Sequence, residues 1–302
     1  MLNILITIFN QPSYSSICLN SLSIIKIPFN TILVNNGSRL KTSTILSSWV
    51  SEHENAKLVT LPVNKGFAAG INAGVNAIED LKDDDLVLIL HNDCQLFEGA
   101  VEEMVEVMQK ADDDTAVVSP LTNYANEMSV CLPDIRKQFE AIKPPNKERL
   151  MLEEIVKIID TVIPDRSAFL SELKKAANFR MSYIPEIASF CMLTKGYFLK
   201  DHPFNEEFWP RGYEDKFWFR KHERSGFVCM LANRAFVWHH GNLSSDGPGM
   251  DFTSIMTINR ERFDQFCIEE DRKMAETLRE KNTTETEALP KESKEQPLKS
   301  ET

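Results

Sequence analysis

The stretch LVLILHNDCQL, residues 86–96, decides how the chain is read. Five consecutive apolar residues run into His91, Asn92 and Asp93, and apolar residues then return. A short uninterrupted apolar run is the mark of a strand covered on both faces, as in a parallel sheet. Its polar end has two readings. Asn and Asp are ordinary turn residues at a strand end. Alternatively, the carboxyl end of a strand in an open α/β sheet is where such sheets bind ligands, here a metal ion or a phosphate.

Outward from this stretch, strand and helix patterns alternate. NILITIF, NTILVNNGS and AKLVTLPVN read as strands before it and TAVVSPL as one after it. SYSSICLNSLSII, ILSSWVSEH, GFAAGINAGVNAIEDL and GAVEEMVEVMQKA lie between and around them as helices. The alternation predicts an α/β fold with a mostly parallel sheet flanked by helices. Four successive strands end in polar residues: Asn10, Asn35-Asn36, Asn64 and His91-Asn92-Asp93. In a parallel sheet those ends share one rim.

Residues 131–182 interrupt the pattern with helical RLMLEEIVKIIDTVI and AFLSELKKAANF, set among Pro144, Pro145 and Pro164. They read as a helical insertion or subdomain over the sheet. EIASFCMLTKGYF and FVCMLANRAFVWHH return to strand, and a long helical stretch begins at Phe252. The expected division is one domain over 1–281 and a tail over 282–302. The tail is rich in Thr, Glu, Lys, Ser and Pro, and such composition buries too little surface to order itself.

With 42% hydrophobic and 26% charged residues the chain is globular in composition, and its formal net charge is −11. Proteins that grip bare nucleic acid present a basic face, so nucleic acid is not the expected partner. A nucleotide needs only a local site and is compatible with the acidity. The six cysteines are scattered and never form CxxC. Together with an N-terminus that reads as a first strand rather than a signal peptide, they predict reduced thiols in a cytoplasmic protein. No apolar run reaches the roughly 18 residues of a membrane helix. Peripheral contact with a membrane surface is compatible with the sequence.

Each candidate for chemistry has a plain structural reading beside it. Asp93, just past a buried strand, is rigidly aimed and suits a hard cation such as Mn2+ or Mg2+, or else closes an Asx-turn. Gly66, Gly70 and Gly74 match neither a dinucleotide-binding fingerprint nor a P-loop, and their spacing suits close helix–sheet packing. Asn64-Lys65-Gly66-Phe67 precedes that helix, and helix N-termini suit anions. Glu214-Asp215, in WPRGYEDKFWFRKHERSGF, is a candidate general base or an acidic pair at a helix start. His239-His240 ends a strand before a Gly/Ser-rich loop, and imidazole binds Mn2+ as well as Zn2+.

Taken in order, ITIFNQPSYSSICLNSL, VNNGS, NKGFAAGINAG, LILHNDCQL, FCMLTKGYF, PFNEEFWPRGYED and VWHHGNLSS resemble family 2 glycosyltransferases of GT-A fold. The similarity is greatest to the rhamnosyltransferase-like branch, through NKGFAAGINAG and the Glu-Asp/His arrangement. The resemblance implies an inverting, metal-assisted transfer of a sugar from a nucleotide-diphosphate donor to a glycan or other hydroxyl acceptor, lipid-linked or protein-linked. It implies that Asn10 and Asn35 line a nucleoside pocket and that Asn64, Gly66, Phe67 and Asn72 shape the nucleotide-sugar site. His91 and Asn92 stand with Asp93 at the family's Asp-x-Asp position, Asp93 contacting a divalent cation, Mn2+ or Mg2+. Asp215 of Glu214-Asp215 would be the general base, and His239, or less so His240, a further metal ligand. Trp209, Arg211 and Tyr213 would hold the acceptor.

The sequence also departs from that family. Asn35 stands where the family carries Asp, His91 replaces the first acidic residue of Asp-x-Asp, and Phe217 and Asn205 replace two further acids. These changes bear on metal use and donor preference. They support an alternative reading, a catalytically weak or inactive relative that binds nucleotide sugar or glycan. A sugar-1-phosphate nucleotidyltransferase would need a Gly-rich, basic loop after the first strand, and FNQPSYSS has neither Gly nor Lys nor Arg.

Overall fold

The structure, a computed structural model, describes residues 1–145, 150–241 and 251–288, the side chains at 252, 277, 278 and 280–288 excepted. The chain divides into a unit Met1–Asn259, which carries the sheet and the candidate site, and a unit Arg260–Thr302.

The first half follows the expected alternation. Strands β1 (Leu2–Ile8), β2 (Phe29–Asn36), β3 (Ala56–Leu61) and β4 (Leu86–His91) are interleaved with helices α1 (Pro12–Ser21), α2 (Leu40–Ser51) and α3 (Phe67–Asn76). These four strands pair in parallel in the order β3-β2-β1-β4. Every residue of β1 is buried, as are the four central residues of β4, which is why both strands are mainly apolar, with Asn3 and Thr7 the polar residues of β1 and His91 closing β4. Helix α3 lies close to β1 because it has glycine where they touch. A Cβ on Gly70 would stand 2.3 Å from Thr7 Cγ2, and one on Gly74 would stand 2.1 Å from Leu5 Cδ1. The packing reading of these two glycines therefore holds.

Beyond β4 the sheet becomes mixed. Next come β5 (Cys94–Leu96), α4 (Ala100–Lys110) and β6 (Thr115–Leu121), and then helices α5 (Pro133–Ile142), α6 (Leu152–Val162) and α7 (Arg166–Ala176). After them follow β7 (Met181–Ile184), β8 (Cys191–Lys195), α8 (Gly196–Asp201), α9 (Glu214–Glu223), β9 (Val228–His239) and α10 (Phe252–Ala288). The strand order continues β4-β8-β6-β9-β5, with β7 also on β9. Strand β8 runs antiparallel to both β4 and β6, β9 is parallel to β6, and β5 and β7 are antiparallel to β9. Strands β5 and β7 are three and four residues long, too short to show a period of their own in sequence.

Among the described residues of 131–182, α5, α6 and α7 account for the helical part, and residues 181–182 already belong to β7. Ile155 of α6 is fully buried against Tyr14 and Ile17 of α1, and Phe169 of α7 packs edge-on to Phe97 and to Phe236 of β9. Helix α10 continues past the expected start of the tail, to Ala288; residues 289–302 lie outside the described residues. Residues 242–250, the Gly/Ser-rich stretch after the histidine pair that the sequence reads as a loop, also lie outside them. Among the described residues no helix is long and apolar enough to cross a membrane, and the six cysteines are unbridged.

Candidate active site

Strand register brings the candidate residues to one rim. Parallel pairing sets Ile8 opposite Asn35 and Thr7 opposite His91. Because β8 is antiparallel to β4, its beginning lies where β4 ends, and His91 N–H donates to Phe190 O at 2.8 Å. Ser189 is thereby delivered to the same rim. Strand β9 runs beside β6 with Phe236 opposite Leu121, so His239 arrives at that rim too. The β5–β9 pair sets Cys94 opposite His239, and His240 N–H donates to Asp93 O at 3.0 Å. Asp93 is therefore fixed by backbone from two strands far apart in sequence.

A cleft of roughly 370 Å³ opens on this rim, within the size range of small-molecule sites. Of the residues singled out from sequence, Asn64, Phe67, His91 and Asn92 line it from the β3–α3 and β4 ends. Arg211, Tyr213, Glu214, Asp215 and His239 line it from the other side. Asp93 sits directly behind His91, 5% exposed.

The ligating atoms of His91, Asp93 and His239 lie within 4.8 Å of one another. His239 Nε2 is 3.4 Å from Asp93 Oδ1, and His91 Nδ1 is 3.9 Å from that same oxygen. His239 Nδ1 stands 2.8 Å from the carbonyl of Tyr124. As a donor to that carbonyl Nδ1 carries the proton, and Nε2 of the neutral ring then presents a lone pair toward a carboxylate. Two such acceptors facing each other need a proton or a cation between them. Phe190 stacks on the His239 ring at 5.0 Å, and the edge of Phe67 meets His91 at 4.9 Å, so both rings are held in place. Desolvation drives the His91 imidazole down to about 3, despite the attraction of Asp93. Burial would raise the Asp93 carboxyl, but positive charge on the side of His239, where a proton or a cation would stand, holds it well below the usual carboxylate range, with smaller contributions from the sides of His91 and His240. A neutral imidazole, a second imidazole with a directed lone pair and an ionised carboxylate together make a donor set that fits a divalent cation.

Across the cleft, Glu214 and Asp215 form the first turn of α9, where acidic residues complement the helix dipole. Their surroundings differ. Glu214 is 4% exposed, and burial, reinforced by Asp215, pushes its carboxyl up to about 8. Backbone N–H groups of Glu214 and Gly212 and the charge of Arg211 pull the other way and do not prevail. Asp215 is partly exposed to the cleft. Its Oδ2 accepts from Ser189 Oγ at 2.6 Å and its Oδ1 from the Lys216 N–H at 2.8 Å. A carboxylate so oriented, beside a neutral carboxylic acid and opposite a cation set, can take a proton from a hydroxyl entering the cleft.

Other predicted residues lie elsewhere, for local reasons. Strand alternation turns Asn35 away from the cleft, where Nδ2 donates to Ser43 Oγ and Oδ1 accepts from Ser38 N–H. Asn36 faces the cleft in its place and clamps the next loop, accepting from Lys65 N–H and donating to Gly66 O. Asn10 Oδ1 accepts from Arg39 N–H, tying the β1 and β2 loops together. Asn72 bonds Phe204 through N–H and carbonyl and also reaches Glu206. Gly66 holds φ 93° at the close approach of Pro210 O, which accepts from Phe67 N–H; the first amide of α3 is used by the protein itself. His240 lies on the opposite side of β9 from His239, with Nδ1 accepting from the Trp238 indole and Tyr14 packed on its edge; it is outside the cation set. Trp209, 48% exposed, directs its indole N–H to Asn64 O, while Pro210 after it lines the cleft. None of the described residues of 131–182 is in the lining, but 124–127 before the insertion and 186–190 after it are. Ser189 and Asn36 were missed in the sequence. Their only signal is position, one residue before a strand-entry Phe and one residue after Asn35.

The profile of glycosyl transferase family 2 matches residues 3–163, from β1 into the helical insertion. The chain belongs to glycosyl transferase family 2. The match covers the strand ends and Asp93 and stops before Glu214-Asp215 and His239. Three solved structures share the architecture. The mannosyltransferase PcManGT from Pyrobaculum calidifontis, in complex with GDP-Man and Mn2+, aligns over 82% of this chain and 58% of its own, with TM-score 0.52 and 13% identity. GalNAc-T7, solved with UDP, GalNAc and Mn2+, aligns over 88% of this chain and 48% of its own, with TM-score 0.59 and 13% identity. S. aureus TarS 1–349 in complex with UDP aligns over 78% and 59%, with TM-score 0.50 and 15% identity. The chain thus spans about half to three fifths of these neighbours, and at such identities the likeness is one of fold. No curated protein matches by sequence.

Proposed function

We propose that this family 2 glycosyltransferase moves a sugar from a nucleoside-diphosphate donor to a hydroxyl acceptor with inversion, Asp215 acting as general base. One observation carries the reading: Asp215, held by Ser189, and the His239–Asp93 pair open on the same cleft at the carboxyl ends of the parallel strands. Asp93 and His239 would hold a divalent cation, which supplies Lewis-acid stabilisation of the charge growing on the departing diphosphate. Asn36 and Asn64 shape the floor beside it by fixing the loop that leads into α3. Asp215 removes the acceptor proton as the hydroxyl attacks the anomeric carbon from the face opposite the leaving group. Burial keeps Glu214 protonated at neutral pH, so base work falls to its more exposed neighbour. Arg211 and Tyr213 line the cleft next to this pair and suit acceptor contacts, with Trp209 exposed beyond them.

NKGFAAGINAG and the Glu-Asp/His arrangement support the rhamnosyltransferase-like branch. The insertion 131–182 is assigned to the acceptor side because both of its flanks line the cleft. Unbridged cysteines support a cytoplasmic setting. The second reading, nucleotide-sugar or glycan binding with weak or no turnover, is favoured by His91, which leaves Asp93 the lone carboxylate of the cation set.

The test is transfer from a panel of UDP-, GDP- and dTDP-sugars with Mn2+ or Mg2+, with the product's anomeric configuration determined. Asp215→Asn is expected to lower turnover about 10²- to 10⁴-fold, the scale of general-base catalysis, with nucleotide binding intact. Undiminished transfer by Asp215→Asn overturns the base assignment. Binding of no nucleoside diphosphate at all overturns the functional reading.

A further inference from the structure

Within the cation set, the residue at position 91 has a consequence of its own. His91 is partly buried, it lines the cleft, and among the described residues its Nε2 has no hydrogen-bond partner. Its Nδ1 faces the same Asp93 oxygen that His239 Nε2 approaches. The oxygen–nitrogen separations of 3.9 and 3.4 Å fall between the roughly 3 and 4.2 Å that separate two ligands of one cation with bonds near 2.1 Å. Phe67 and Phe190 hold the two rings, so neither imidazole can swing far from the carboxylate.

We propose that His91 is a direct ligand and that the resulting His-Asp-His set selects a first-row transition-metal dication, of the Mn2+, Co2+ or Zn2+ class, against Mg2+. The chemistry is that of donor types. Mg2+ is a hard ion that takes oxygen, holds its waters and is usually bound through one or two carboxylates. This set offers it one carboxylate and two imidazole nitrogens. Imidazole suits the later divalent ions, and three protein ligands would leave such an ion able to take diphosphate oxygens as well. A carboxylate at position 91 would restore oxygen donors and charge, and with them Mg2+ binding. The inference extends the transferase reading by naming its cation class, and its use in catalysis rests on that reading; the binding itself does not.

The experiment uses the full chain freed of metal by chelation, with Mn2+ titrated and followed by electron paramagnetic resonance, with and without UDP. Bound Mn2+ is expected to show electron spin-echo modulation from imidazole nitrogen, and a hundredfold excess of Mg2+ is expected not to displace it. His91→Ala is expected to weaken Mn2+ binding by about tenfold or more, since even changes outside the ligand set are felt on that scale. His91→Asp is expected to narrow the Mn2+/Mg2+ preference by a similar factor. Ready displacement by Mg2+, absence of nitrogen coupling, unchanged Mn2+ affinity in His91→Ala, or no Mn2+ bound under either condition would each overturn the proposal. The nitrogen coupling and the Mg2+ competition are read on the unaltered chain, so they stand even if a variant folds poorly. Selective Mn2+ binding without any nucleoside diphosphate binding would leave this inference intact and remove the transferase reading instead.

Discussion

The hydroxyl of Ser189 donates to Asp215 Oδ2 across 2.6 Å, joining the entry to β8 to the first turn of α9. With the Lys216 N–H on Oδ1, both carboxylate oxygens are held, and the carboxylate cannot rotate freely toward or away from the cleft. With Asp215 as the proposed base, Ser189→Ala is expected to lower kcat about tenfold with little change in KM, because loss of orientation at a reacting group is costly even when binding persists. Ser189→Thr should recover most of the rate. Equal losses in kcat for Ala and Thr, or a loss confined to KM, would count against positioning by this hydroxyl.

Glu214 gives the fold a pH dependence that runs opposite to that of an ordinary carboxylate. Its folded value is raised from 4.5 to about 8. Between these values the native state holds a proton that the unfolded chain has lost, so stability falls as pH rises through this window. Glu214→Gln keeps the shape and removes the titration. The melting temperature of the variant minus that of the wild type should grow by several degrees from pH 5 to pH 8, at about 2–4 °C per kcal/mol for a domain of this size. A difference that stays flat over that range rules out a buried, protonated Glu214.

His222 works in the acid range. It is 3% exposed, set among Phe198, Trp218 and Phe227, and desolvation, with His202 and Lys221 adding to it, lowers it from 6.5 to about 4. The unfolded chain takes up its proton first, so the stability this neutral ring permits is lost as pH falls from 6.5 toward 4. His222→Phe should flatten the urea midpoint over that interval and leave its slope above pH 7 unchanged. If wild type and variant lose stability in parallel, the acid sensitivity lies elsewhere.

Gly70→Ala tests the contact between α3 and β1. The added methyl would meet Thr7 Cγ2 at 2.3 Å, and a β-branched side chain on a buried strand has no room to swing away. Overpacking of this kind costs about 1–3 kcal/mol, against roughly 1 kcal/mol gained in helix propensity. A net loss of up to about 2 kcal/mol is expected in denaturant unfolding, relieved by Thr7→Ser, which deletes the clashing methyl. No relief in the double variant would mean that the clash is absorbed at another contact.

Much of this protein was legible in its residues because the informative signals are local. Buried strands need short runs rich in apolar residues, so β1, β2, β4 and β6 were visible, and parallel pairing of β1, β2 and β4 then required their polar ends to share a rim. Gly70 and Gly74 pointed to close packing because helical spacing puts both on one face. Asp93, Asp215 and His239 were reachable because each closes or opens an element. Strands β5 and β7 left no mark, since three or four residues carry no period. Asn35 was assigned to the pocket and Asn36 was not, because the two differ only in which face of β2 they occupy, and one residue of register decides that.

By itself, then, the sequence determined which segments are buried and which residues stand at strand ends, because burial and turning are properties of short stretches. Partnership was decided only by the tertiary structure. His91 and Asp93 lie more than a hundred residues before His239, and Ser189 lies 26 before Asp215. What unites them is β8 running backward against β4 and β9 running forward beside β6. These pairings are chosen by the packing of whole strands, and no local pattern encodes them. The raised value of Glu214 has the same origin. Its carboxyl is pushed up to about 8 because the packing of α9 folds it into the interior, while the side chain of Asp215 is left at the cleft.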